Sequence, residues 1–77
     1  MVLASHKNAA DLRPGEKGIV DMLADDAIAL KLMEMGFLPG AEVEMVRCGL
    51  LGDPVCVRIQ GFDLALRKSE ASSVALA

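Results

Sequence analysis

One stretch of this chain reads as a sustained helix, residues 27–35, and Gly36 followed by Pro39 shuts it off before it can lengthen. Every residue in it except Ile28 is a good helix former, and Asp25-Asp26 ahead of it offers a carboxylate to cap the first backbone N–H groups. Glycine in the left-handed region is a common helix stop, and the proline after it forbids resumption. A helix this short needs a sheet to bury against, and the other apolar segments have the pattern of strands. Residues 18–23 carry Ile19, Val20, Met22 and Leu23, with the β-branched pair favouring a strand. Residues 42–47 alternate with Val43 and Met45 inward, and residues 55–59 alternate with Val55, Val57 and Ile59 on one face. The segment between them ends in Gly52-Asp53-Pro54, a reversal signal, so these two strands form a hairpin. Gly61 is a tight hinge into a fourth strand at 62–67. Residues 69–72 read as one helical turn, and 73–76 as a last short strand. Five short strands with one helix inserted after the first predict a mainly β fold, a small closed or nearly closed barrel.

The chain has 77 residues, room for one core and no second domain. Hydrophobic residues make up 53% of it, more than a core of that size needs. Some apolar surface therefore stays outside, which predicts a standing partner or weak self-association. The formal net charge is −3, and Phe37 and Phe62 are the only aromatic residues. Neither an attraction to phosphate backbones nor a base-stacking platform follows from that, so no nucleic acid is expected. No apolar run is long enough for a membrane span, since Lys31 and Glu34 interrupt the best one, and residues 1–10 lack a signal peptide. The expectation is a cytoplasmic protein with no direct membrane insertion.

Catalytic devices are missing from the sequence. The single histidine, His6, lies in an N-terminal arm of weak pattern, away from any nucleophile. The glycines form neither GxGxxG nor a phosphate loop, so no nucleotide cofactor is expected. Cys48 and Cys56 fall diagonally across the hairpin. They are the weak candidates for a metal site, which would need Asp53 or His6 to complete a tetrahedron. Small half-buried fillers are the commoner role for such residues. On the helix, Ile28, Leu32 and Met35 form one apolar stripe, and Leu30 with Met33 forms a second. The first suits the core and the second a rim.

Four segments taken together resemble one known family. They are 12–18 (Leu-Arg-Pro-Gly-Glu-Lys-Gly), 31–40 (Lys-Leu-Met-Glu-Met-Gly-Phe-Leu-Pro-Gly), 51–55 (Leu-Gly-Asp-Pro-Val) and 64–68 (Leu-Ala-Leu-Arg-Lys). In this order and spacing they resemble the FeoA domain of bacterial ferrous iron transport proteins. The resemblance covers about residues 10–76 and implies an SH3-like barrel at 10–77 behind an arm at 1–9. It further implies an accessory or regulatory role, without catalysis, on a FeoB-like membrane transporter that carries a cytosolic GTPase domain. The protein would then lie peripheral to the inner membrane through its partner. The motif positions Gly15, Gly18, Leu32, Gly36, Pro39, Gly40, Gly52, Asp53 and Pro54 take structural roles in this reading. The contact residues expected are Leu30, Met33, Phe37 and Leu38, together with Leu50 and Leu51 of the hairpin loop. The alternative is a stand-alone metal-sensing module, since the barrel also resembles the SH3-like tail of iron-dependent repressors.

Overall fold

The computed structural model describes residues 8–23 and 26–77. Five strands make one antiparallel sheet: β1 (Lys17–Leu23), β2 (Glu42–Cys48), β3 (Val55–Ile59), β4 (Phe62–Leu66) and β5 (Val74–Leu76). Helix α1 (Asp26–Glu34) follows β1, and the short α2 (Lys68–Ser72) carries the chain from β4 to β5. The spatial order β4-β3-β2-β1-β5 puts β4 and β5 at the two ends of a curled sheet, an SH3-like barrel. Asp25, the first residue of the cap expected for α1, lies outside the described residues, as does His6.

Direct cross-strand partners share a face, so the register sorts inside from outside. Gly18, Val43, Ile59 and Phe62 form one inner row, and Met45, Val57 and Leu64 the next. Val43, Met45, Val57 and Ile59 are fully buried there, as their alternation predicts. On the outer face Lys17, Glu44, Arg58 and Asp63 line up in a row of alternating charge. Arg58 closes part of it, its Nε lying 2.7 Å from Asp63 Oδ1 and its Nη1 3.8 Å from Glu44. Gly18 sits where β5 crowds β1: a Cβ on it would stand 2.7 Å from Leu76 Cδ1.

The fold begins earlier than residue 10. Asn8 bridges Ala75 of β5, its side chain accepts the Ala10 N–H at 2.9 Å, and Asp11 accepts the Asn8 N–H at 3.2 Å. This reciprocal cap holds a helical turn at Ala9–Asp11 and drives Ala9 into the core. Asn8 and Ala9 therefore belong to the barrel and not to an arm.

Candidate protein-docking surface

Helix α1 ends in a Schellman motif. The Gly36 N–H donates to the Met33 carbonyl at 3.0 Å and the Phe37 N–H to the Leu32 carbonyl at 3.1 Å, with Gly36 at φ +107. In this motif the residue after the glycine commonly folds back on the third residue from the helix end. Leu32 and Phe37 hold those positions, and both are fully buried in one core. Phe37 is thus corrected as a contact residue, because its ring is 0% exposed and has nothing to offer a partner.

The other five expected contact residues are exposed: Leu30 at 68%, Met33 and Leu38 at just under half, Leu50 at 91% and Leu51 at 97%. Leu30 and Met33 lie on the stripe of α1 that faces away from buried Leu32, and Leu38 follows in the turn before β2. Leu50 and Leu51 stand in the loop joining β2 to β3, with Leu51 in the left-handed region at φ 61, ψ 20. Helix α2 links the two groups. Asp53 of the loop accepts the Lys68 N–H at 2.8 Å, and Lys31 of α1 reaches Glu70 of α2 at 3.1 Å. The Arg67 N–H, and after it Lys31, hold the Glu70 carboxyl below its usual range.

Gly15, Gly40 and Gly52 all have positive φ, a conformation that suits the glycines of the motif. Phe62, which is not among the expected contact residues, is 67% exposed although it continues an inner row. Its signal was its place directly after Gly61, at the mouth of a hairpin.

Cys48 pairs with Val55 and Cys56 with Arg47 and Ala65, and both cysteines line one open depression of 180 Å³ with Gly49 and Pro54. Among the described residues no three His, Cys, Asp or Glu side chains gather closely enough to hold a metal. An open depression of 270 Å³ on the outer face is lined by Glu42, Glu44, Arg58, Gln60 and Gly61, where Arg58 is already paired with Glu44 and Asp63. No helix among the described residues is long and apolar enough to cross a membrane.

The curled sheet with exposed leucines on a helix and a loop defines a small SH3-like module that presents apolar side chains to its surroundings. The family model of the FeoA domain matches residues 7–77, and the chain belongs to that family, which is linked to ferrous iron transport. A zinc complex of FeoA from Stenotrophomonas maltophilia, described as a prokaryotic SH3 domain protein, is 37% identical; the match covers 96% of this chain and 91% of that one, with a TM-score of 0.76. A fusion of Fe(2+) transport protein A with the Fe(2+) transporter FeoB, from Porphyromonas gingivalis, is 29% identical over 66 residues, 84% of this chain. The matched segment spans 8% of that fusion's length. A manganese-dependent transcriptional repressor superimposes with a TM-score of 0.84 over 97% of this chain and 42% of its own, and at 13% identity that likeness is one of fold.

Proposed function

We propose that this protein is an accessory factor of ferrous iron uptake. It docks without catalysis onto the cytosolic part of a FeoB-type membrane transporter and works at the inner membrane through that partner. The observation that carries the reading is the Porphyromonas gingivalis relative, in which a domain like this one is joined covalently to the transporter. A covalent link keeps two modules at high effective concentration, and a module with that role still needs a surface through which it meets the transporter. Leu30, Met33 and Leu38 beside α1, with Leu50 and Leu51 on the loop, are the side chains given that task. Burying one exposed leucine contributes roughly 1.5–3 kcal/mol, enough to change affinity tenfold or more.

The test is capture of a FeoB-type cytosolic GTPase domain by the immobilised chain, with Leu30→Asp and Leu51→Asp as variants whose folding is verified by circular dichroism. The expected result is retention by the parent chain and roughly tenfold weaker binding by each variant. Undiminished binding by both variants removes the surface, and no retention by the parent chain removes the partner.

A further inference from the structure

We propose that β4 is a self-association edge, along which two copies of this chain pair antiparallel about Leu64 to run their sheets together. The argument starts at the β3–β4 hairpin. Ile59 faces Phe62 across a loop of Gln60 and Gly61, both at positive φ, the two-residue turn whose flanking pair is hydrogen bonded. Bonded and non-bonded pairs alternate from there. Phe62, Leu64 and Leu66 therefore turn their backbone groups to β3, and Asp63 and Ala65 turn theirs away. Met45 confirms this phase from the far side of β3, since it bonds Glu16 and Gly15 toward β1 at 2.9 and 2.8 Å. Among the described residues no strand pairs the outer edge of β4, whereas Asn8 bridges part of the opposite edge at Ala75.

Edge strands are normally guarded by lysine, proline or a bulge. β4 has none of these, and its register with β3 is unbroken over all five pairs. Its one charge, Asp63, is neutralised by its own Arg58.

The occupant follows from which register the edge accepts. Pairing centred on Asp63 sets two carboxylates directly opposite, which is destabilising. Centring on Ala65 calls on the backbone of Arg67, whose N–H already donates to Glu70 at 3.0 Å and whose carbonyl takes the Glu70 and Ala71 N–H groups. Centring on Leu64 uses only backbone groups that have no partner among the described residues. Asp63 of each copy then exchanges both backbone bonds with Ala65 of the other, four bonds in all, and lies diagonal to the other copy's Arg67. On the inner face, exposed Phe62 comes against the other copy's Leu66. The joint is small, well under the roughly 1,000 Å² of a stable interface, so the dimer forms at high concentration and dissociates on dilution.

The experiment is sedimentation velocity of the intact chain over a concentration series, combined with amide hydrogen exchange. The expected result is a sedimentation coefficient that rises with concentration, together with protection at the Asp63 and Ala65 amides that appears only in the concentrated sample. Ala65→Pro removes an N–H that the monomer does not use, and it weakens association at least roughly tenfold while the fold survives. Phe62→Lys, which adds an edge charge at an exposed position, does the same if the proline variant fails to fold. A constant monomer at all concentrations overturns the proposal, and so does association that persists in Phe62→Lys or leaves the Asp63 and Ala65 amides unprotected.

Discussion

Asp53 Oδ1 lies 2.8 Å from the Lys68 backbone nitrogen, so the loop that displays Leu50 and Leu51 is pinned to the first turn of α2. The bond spans fifteen residues and joins the β2–β3 connection to the β4–β5 connection. Asp53→Ala is expected to cost about 1 kcal/mol in urea unfolding, the net value of one such bond, and to speed exchange of the Lys68 amide. Asp53→Asn keeps an acceptor oxygen and should retain most of both. Equal losses in the two variants would show that the bond does not hold the loop.

Phe37 and Leu51 should separate stability from docking. Phe37→Ala empties a fully buried site and is expected to cost about 3–5 kcal/mol. That is most of what a marginal domain of this size has, so the variant should be largely unfolded by circular dichroism at 37 °C. Leu51→Asp sits in open solvent and should leave the urea midpoint nearly unchanged, within about 0.5 kcal/mol. A stable Phe37→Ala would mean that the ring is not a core element.

What could be read from the chain divides along physical lines. Strand faces were legible because a period of two is local: Val43, Met45, Val55, Val57 and Ile59 all turn inward as their alternation requires. The end of α1 was legible from Gly36. Phe37 was misassigned because helical periodicity stops at that glycine, and the side chain beyond it is aimed by the Schellman turn and not by the 100° step. Gln60 takes a positive φ of 51 with no glycine to announce it, because the hairpin twist imposes the conformation on whatever residue precedes Gly61. The free edge of β4 was out of reach, since strand order is a property of the assembled sheet. So was the docking of Asn8 and Ala9, which depends on β5 arriving beside them.

Acid should loosen the contact between the two helices. The Glu70 carboxyl lies below its ordinary value of 4.5, first through the Arg67 N–H and then through Lys31, and Asp63 lies below 3.8 through its hydrogen bond to Arg58. A carboxyl depressed in the folded state favours folding above its unfolded value, and that contribution disappears as pH falls through the folded value. Melting temperature is therefore expected to hold above pH 4.5 and to drop below it, with a shallower acid drop in Glu70→Gln. The Asp63 share, on an exposed pair, should shrink in high salt. An acid profile identical in Glu70→Gln and the parent chain would remove Glu70 from the account.

Gly18 tests the close approach of β5 to β1. Adding the alanine methyl drives a carbon to 2.7 Å from Leu76 Cδ1, and Leu76 is itself buried and has little room to yield. Gly18→Ala is expected to cost about 1–3 kcal/mol. Leu76→Val withdraws the clashing carbon, so the double variant should be more stable than the sum of the single losses predicts. Additive losses in urea unfolding would place the cost elsewhere than in this contact.

Leu51 gains nothing for the fold from its side chain, being 97% exposed, and it occupies the left-handed region at φ 61. That conformation costs an L-residue other than glycine about 1–2 kcal/mol. Part of this is offset in glycine by the greater freedom it loses on folding. Leu51→Gly is therefore expected to raise stability by about 0.5–1 kcal/mol, even though it deletes a large apolar side chain. The same variant should bind the transporter's cytosolic domain more weakly, roughly as Leu51→Asp does. A gain in the urea midpoint paired with a loss in capture would mean that the leucine is kept in a strained pose for its partner. If Leu51→Gly lowers the midpoint, the loop relies on that side chain for its own structure, and Leu51 leaves the docking surface.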